Sequence, residues 1–554
     1  MTSSGPAASA TAGSAPKELP ALQQMRESAQ ELLRQGKVQE SCEMLLSALE
    51  AVLRKSHELE LLIAKLQRVG RSSERINPAQ LQLLFEELLQ ASGAAGLPDW
   101  EAEGKEDAAL QREIAAAEAR SPAVKRPRRP TGSTLRTHGV EQQSHQKVLA
   151  EEQRYCPRCG RPMNPMGHDI TRRLEYVPGH FIEHEYHLQK YGCGTCKEEI
   201  KPAPAPSQVL NRSAADASLL AHIVVSKYAD HTPLHRLHRI YARSGAEIPV
   251  STMCDWTAGV AEMVEPLVEQ LYQRILKAYI VGTDATGLKV LDPESPTHIQ
   301  RGSMWVLTGD RRDVVFRYTP TGEGESGPWQ FLAGRTGYIQ ADASSVFDRL
   351  FNGKVASATE VGCWSHGRRR MVGLQDTDFR VAYPLKLIAR MYRVEHLADA
   401  QELTPEQRAS LRQERSGPTL EKLKRWLVAT AAAEPPSAEL SHACAYPLNH
   451  WQALTRFLQD GRISLDNNHV ERQLRAVALG RRNYLFAGSH DAARRAATLY
   501  SLMRTCAEYG VPPLPYLTDV LRELGAGWDT KHLDELLPNR WPFTKVSRKK
   551  AQGP

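Results

Sequence analysis

Near the C-terminal end, the stretch Asp466-Asn467-Asn468-His469-Val470-Glu471-Arg472 reads as the start of a helix that presents one carboxylate, Glu471, in its first turns. Asp466 or Asn467 can cap that helix, because a short polar side chain can accept from a free first-turn amide. Two earlier acidic residues close apolar runs: Asp284 follows Tyr279-Ile280-Val281-Gly282-Thr283, and Asp342 follows Gly337-Tyr338-Ile339-Gln340-Ala341. Two strand-borne Asp residues and one helix-borne Glu are the layout of a site for two metal ions that cuts and joins nucleic acid. Phosphodiester transfer needs an activated attacking oxygen and a stabilised leaving oxygen, and two Mg²⁺ or Mn²⁺ ions about 3.5–4 Å apart supply both. Such hard ions take oxygen ligands. Without them, three clustered carboxylates would repel one another by roughly 1–4 kcal/mol per pair. Spacing alone also admits a plainer account, in which Asp284 and Asp342 are strand-end turn residues and Glu471 pairs with Arg475 one helical turn on.

The elements that must position these residues can be read coarsely. Residues 278–291 predict a strand on which Ile280, Gly282, Asp284 and Thr286 share a face. Strands are also expected over 303–307 and 314–318, with a hairpin signal at Gly309-Asp310. A short helix near 328–333, a strand over 338–342, a helix near 344–351 and a fifth strand within 355–364 follow. Three strands, helix, strand, helix, strand is the order of an RNase H-like α/β fold. Residues 366–465 turn helical and charged, which reads as an insertion before the Glu471 helix. On that helix Val470, Leu474 and Val477 have helical spacing. Upstream, residues 213–243 and 251–277 read as helical lead-in, with Ser226-Lys227-Tyr228-Ala229-Asp230-His231 inside the first of them. Trp364, Trp426 and Trp451 are expected in the core rather than stacked on bases.

Cys156-Pro157-Arg158-Cys159 and Cys193-Gly194-Thr195-Cys196 are two CxxC turns separated by 33 residues. Each can aim two thiolates at one ion, and two such turns complete a tetrahedral structural zinc site. The competing reading is a pair of redox-active or coincidental turns. The other five cysteines, of nine in all, are scattered, which fits a reducing cytoplasm better than a secreted disulfide framework. No apolar run of membrane-spanning length occurs. Residues 1–18 read as a disordered leader without signal-peptide features. Residues 19–91 are helical in character, with Leu45, Val52, Leu59 and Leu66 seven apart. That seam fits a coiled coil or an amphipathic helix packed on its own chain. Residues 92–150 read as a linker containing Lys125-Arg126-Pro127-Arg128-Arg129, and the chain carries a net charge of +7. A mildly basic balance permits a polyanionic partner. Lys125, Arg126, Arg128 and Arg129 are candidate phosphate contacts, as are His366 with Arg368 and Arg369, and Arg472, Arg475, Arg481 and Arg482.

Several long motifs in order resemble the transposases of IS66-type bacterial insertion sequences. They are Gly70-Arg71-Ser72-Ser73-Glu74-Arg75, the two CxxC pairs, Lys227-Tyr228-Ala229-Asp230-His231-Thr232-Pro233-Leu234, Cys363-Trp364-Ser365-His366-Gly367-Arg368-Arg369, the Asp466–Arg472 stretch, and Arg481-Arg482-Asn483-Tyr484-Leu485-Phe486-Ala487-Gly488-Ser489. The resemblance implies a multidomain α/β protein: a leucine-zipper-like segment (19–91), a basic linker (92–150), a zinc-binding domain (151–201), the helical lead-in (213–277), and an RNase H-like DDE core. The core runs over 278–365 and 466–510, is split by the helical insertion (366–465), and is followed by a tail (511–554). The implied triad is Asp284, Asp342 and Glu471, holding two Mg²⁺ or Mn²⁺ ions, with one structural Zn²⁺ on Cys156, Cys159, Cys193 and Cys196. The implied reaction has water, then a 3′-OH, attacking phosphorus in line. The implied partners are double-stranded DNA (the element's terminal inverted repeats and target DNA), further copies of the chain, and accessory proteins from the same element. Two positions depart from the family pattern: Ala285 where Glu usually follows the first Asp, and Ala343-Ser344 where Gly-Tyr usually follows the second. Ala285 points to the opposite face of its strand from Asp284. Two other readings compete: a catalytically inactive zinc-containing DNA-binding descendant, and a hydrolase that cuts without joining.

Overall fold

A computed structural model describes residues 99–120, 158–162, 179–192, 200–203, 208–211, 213–310 and 312–541. The leader, the leucine-zipper-like segment, the basic run with Lys125, Arg126, Arg128 and Arg129, and Cys156, Cys193 and Cys196 lie outside the described residues. Of the described residues, 99–113 and 376–383 form one unit, and 114–375 with 384–541 form another. In the first, Trp100 is buried and meets Tyr383 edge-on, ring centroids 5.8 Å apart.

Within the segment read as a linker over 92–150 for want of an apolar period, the described residues form a helix, α1, over Trp100–Arg120. Its alanines and glutamates are good helix formers. Its buried positions, Leu110, Ile114 and Ala117, keep helical spacing with too little side chain to stand out in the sequence. Two short antiparallel strands, β1 (Lys190–Gly192) and β2 (Ile200–Pro202), flank the second CxxC pair.

The continuous helix expected over 213–243 is two helices, α2 (Ala217–Tyr228) and α3 (Leu234–Arg243). The break falls at the Ala229–Pro233 turn, where His231 has φ 59° and Pro233 cannot donate to a preceding carbonyl. α4 follows (Val250–Lys277). It leads into a five-stranded sheet of β3 (Ile280–Leu291), β4 (Ile299–Gly309), β5 (Asp313–Thr319), β6 (Tyr338–Gln340) and β7 (Thr359–Val361). A short helix α5 (Pro328–Phe331) precedes β6, and a 3₁₀ turn over Ser345–Leu350 stands where a second helix was expected. The strand order is β5-β4-β3-β6-β7. β3–β4 and β4–β5 are antiparallel, while β3–β6 and β6–β7 are parallel. Val281, Val290, Val306, Leu307, Val315 and Ile339 are fully buried, so the sheet forms the centre of this unit's core.

The insertion is helical, as its composition predicts: α6 (Trp364–Val372), α7 (Ala382–Ala400), α8 (Pro405–Leu411), α9 (Gly417–Ala433), α10 (Glu439–Asn449) and α11 (Trp451–Thr455). Trp364 is buried, donates to Leu454 O at 2.9 Å and meets Trp451 edge-on, which bears out its reading as core, while Trp426 and Trp451 are only half-buried. One π turn over Arg412–Ser416 joins α8 to α9 and carries the buried Arg412. Arg412 clasps both carboxylate oxygens of Glu395 at 2.7 and 2.6 Å and donates to Phe457 O and Asp460 O. Such a buried cation is tolerable only because its charge is paired and its donors find acceptors.

Helices α12 (Asn468–Tyr484), α13 (His490–Glu508) and α14 (Pro513–Gly525) close the unit. α13 covers the edge strand β5: Ser501 Oγ accepts from Phe316 N at 2.7 Å, and Thr505 Oγ1 accepts from Val314 N at 3.1 Å. The open edge is thus satisfied by side chains. Residues 511–541 are no mere tail, since Tyr516, Leu517, Leu521, Leu533 and Leu536 join the main core. No described helix is long and apolar enough to cross a membrane.

Candidate active site

Asp284 lies in β3, the central strand, on the face covered by α12. That face is legible from contacts at its neighbours of like parity. A side chain on Gly282 would come within 2.4 Å of Val470 Cγ2, and Thr286 Oγ1 accepts from Arg481 at 2.8 Å. β6 runs parallel to β3 with Gly282 opposite Gln340. Continuing that register by two residues brings Asp342, just past the end of β6, alongside Asp284 on a neighbouring strand. Glu471 enters from above, in the first turn of α12.

The start of α12 is fastened by residues that sequence reasoning treated as caps or passed over. Asn467 holds the N-cap position but makes no capping bond with its side chain. Its Nδ2 instead donates to Thr283 O in β3 at 3.1 Å, and its backbone N–H donates to Cys363 Sγ at 3.2 Å. Asp466 Oδ1 accepts from Asn468 N at 3.0 Å, so Asp466 supplies the turn bond expected of a cap. Gln340 Nε2, at the end of β6, donates to Ser464 O at 2.9 Å. Gln340, Cys363 and Asn467 are buried polar groups in this frame. Cys363 and Asn467 stood within motifs already singled out in the sequence, whereas Gln340 was marked only by its place two residues before Asp342. Asp284, Asp342 and Glu471 are therefore gathered by bonds among β3, β6, the loop after β7 and the α12 start.

Burial pushes the Asp284 carboxyl up to about 7, the Ala285 N–H opposes this, and the charges of Asp342 and Glu471 push it further up. The Arg369 charge pulls the other way. Asp342 and Glu471 therefore each lie near enough to Asp284 for their charges to act on it. Glu471 does not pair with Arg475. Its Oε2 accepts from Arg369 Nη2 of α6 at 3.2 Å, and its Oε1 lies 3.6 Å from His366 Nε2. Oε1 is buried without a hydrogen-bond partner, and so is His366 Nδ1. A buried, unsatisfied carboxylate oxygen calls for an explanation. Beside two further carboxylates it fits the oxygen-rich donor set of a hard divalent cation. Ligand atoms of Cys363, His366 and Glu471 also lie within 4.8 Å of one another. Burial pushes the Cys363 thiol up to about 11, and Asn467 N already donates to its sulfur, so it serves as a neutral structural acceptor rather than a thiolate ligand.

The remaining candidates fall in different settings. Arg472, Arg475 and Arg482 lie along α12 and Arg368 on α6, each within a run that carries no acid other than Glu471. Arg370 stacks over Tyr446, 4.7 Å from the ring centroid. Arg481 is committed to β3, donating to Thr286 Oγ1 and Gly287 O, which leaves it less available to a phosphate. Cys159 is exposed.

Comparison with known proteins follows the same outline. Residues 212–495 match the family described as "Transposase IS66 family". Residues 153–197 match "zinc-finger binding domain of transposase IS66", and residues 501–539 match "IS66 C-terminal element". The uncharacterized protein y4hP of Sinorhizobium fredii is 30% identical over 512 residues, covering 87% of this chain and 88% of its own. The uncharacterized protein y4qI of the same organism is 30% identical over 393 residues, covering 68% of this chain and 72% of its own.

Proposed function

This chain belongs to the IS66 transposase family, and from that premise we propose that it binds insertion-sequence ends and catalyses metal-dependent DNA strand cleavage and strand transfer. The observation that carries the reading is the placement of Asp342, just past β6 in register with Asp284 of β3, and of Glu471 in the first turn of the helix that covers them, close enough for both charges to act on Asp284. The sheet order, with three antiparallel strands and then two parallel ones, supports an RNase H-like DDE core. Asp284, Asp342 and Glu471 would hold two Mg²⁺ or Mn²⁺ ions, which when bound activate the attacking oxygen and stabilise the leaving one. Arg369 orients the Glu471 carboxylate through Oε2, and His366 faces Oε1. Arg472 and Arg475, three residues apart on α12, are read as contacts to backbone phosphates. Cys156, Cys159, Cys193 and Cys196 are read as the ligands of one structural Zn²⁺, in keeping with the zinc-finger match. The partners of this reading are duplex DNA, further copies of the chain and the element's own accessory proteins.

The test is a cleavage and joining assay on DNA carrying the element's ends, with Mg²⁺ or Mn²⁺, comparing wild type with Asp284→Asn and Glu471→Gln. Wild type should cut and join, while both variants bind DNA and yield no product. Cleavage retained by Glu471→Gln would remove Glu471 from the triad, and cutting without joining would make the protein a hydrolase. A second reading, an inactive DNA-binding descendant, draws on Ala285 and Ala343-Ser344. Specific binding by wild type without nicking, in the presence of the accessory proteins, would establish it.

A further inference from the structure

We propose that α2, α3 and α4 form a helix-turn-helix unit that reads duplex DNA, with α3 lying along the phosphate backbone and the first two turns of α4 entering the major groove. The proposal rests on the reading of this chain as a protein that acts on DNA, and assigns a recognition surface away from the acidic site. These helices share a small cluster, Ile223, Leu234, Leu237, Tyr241 and Met253, which adjoins the main core through Leu219 and Trp256. A three-helix cluster with its own apolar centre can present its outer surface rigidly.

The turn between α3 and α4 is built for a sharp change of direction. Gly245 takes φ +86°, a conformation open to glycine at little cost. Gly245 N donates to Ala242 O at 3.1 Å and Ala246 N to Tyr241 O at 3.0 Å, which closes the end of α3. His238 Nδ1 meets Ile248 O at 2.8 Å and pins the turn back onto α3. Two helices joined by a short glycine-containing turn are the frame of this motif, whose second helix offers its N-terminal residues to base edges while the first contacts the backbone.

Charge selects the occupant. α3 contains no acidic residue, and Arg236, Arg239 and Arg243 are exposed along it with His235. On the first two turns of α4, Val250, Ser251, Cys254 and Asp255 are exposed. Pro249 precedes them without a capping side chain, so the first-turn amides stay free for a phosphate. Ser251 and Asp255 can hydrogen-bond base edges, Asp255 by accepting from a cytosine amino group, and Val250 can meet a thymine methyl. Glu247 and Asp255 are the exposed acids of this surface, against three arginines. The Phe181 ring meets Tyr241 of α3 edge-on at 5.1 Å. That contact seats part of the zinc-finger-matching segment against the unit, so both can address one duplex. α4 then runs for 28 residues, about 42 Å at 1.5 Å per residue, into the strand that carries Asp284. That is close to one turn of duplex, about 34–36 Å.

The experiment is fluorescence anisotropy with the full-length chain on two duplexes at several salt concentrations. One duplex is cut from the end of the element that encodes the chain, and the other is the same composition scrambled. The variants are Arg236→Ala/Arg239→Ala/Arg243→Ala, the same three positions changed to Lys, and Ser251→Ala/Asp255→Ala. The alanine triple should weaken binding to both duplexes and shallow the salt dependence by about 0.9 for each phosphate that is no longer neutralised. The lysine triple should keep most of that slope. Ser251→Ala/Asp255→Ala should narrow the preference for the end duplex by about tenfold while leaving the salt slope intact. Circular dichroism and melting should match wild type, since all five side chains are exposed. If wild type binds the end duplex and all three variants bind it equally well, the α3–α4 surface is not a DNA reader, and the proposed function stands without it. If wild type binds neither duplex even with the element's accessory proteins added, both readings fall.

Discussion

At Asp284, burial and two neighbouring carboxylates act in the same direction, and the result is a carboxyl that holds its proton up to about pH 7. The sign of the consequence follows from linkage. Between about pH 4 and 7 the folded chain keeps a proton that the unfolded chain has already released, so stability is lost as pH rises through that range. Replacing Asp284 by Asn removes the titration. In chelator-treated protein, Asp284→Asn should therefore be the more stable form at pH 8, by up to roughly 4 kcal/mol for a shift of about three pKa units, with the advantage shrinking toward pH 4. Urea melts at a series of pH values measure it. A difference that stays flat with pH would show that neither burial nor the neighbouring acids raise the Asp284 carboxyl in the folded state. Glu471 illustrates the other side of residue-scale reading. Its sequence neighbour Arg475 is the natural partner on a helix, yet the ion pair forms with Arg369, which is distant in sequence and near only because α6 and α12 both stand over the ends of the parallel strands.

Among the elements, α12 sets the geometry because it must approach β3 closely enough to lower Glu471 toward Asp284. Gly282 permits that approach: a methyl group there would sit 2.4 Å from Val470 Cγ2 and 2.7 Å from Thr308 Oγ1. Gly282→Ala should cost about 1–3 kcal/mol through overpacking. It should also depress strand transfer more than it depresses DNA binding, because the triad is spread while the arginines proposed to hold DNA are untouched. Parallel melting and joining assays check this, and normal joining by a fully folded variant would mean that the helix seat tolerates displacement. Element boundaries were less legible than element order. α1 was hidden by its alanine-rich face, and the break between α2 and α3, marked only by the short polar run Ala229–Pro233, was masked by apolar residues that resume on helical spacing at Leu234. Strand and helix order from 278 to 365 was legible because β-branched runs alternate with Gly- and Pro-marked turns.

Across the whole chain, the proposed function divides between a carboxylate site on the sheet and basic or cysteine-bearing segments elsewhere. The zinc-finger match over 153–197 predicts that Cys156→Ser loses one bound zinc and unfolds residues 150–200 locally, while the sheet and its helices keep their melting transition. Metal analysis with limited proteolysis tests this, and full zinc content in the variant would refute Cys156 as a ligand. The sequence by itself determined the order of the motifs, the presence of two CxxC pairs and the helical character of the insertion, and it singled out the three acids. These depend on residue type and short spacing, which are local. Only the tertiary structure decided that Asn467 reaches across to Thr283, that Cys363 receives an amide, that Arg369 rather than Arg475 holds Glu471, and that the C-terminal residues belong to the main core. Each of those depends on which chain segments the sheet and its covering helices bring together over long separations, and neither periodicity nor propensity carries that information.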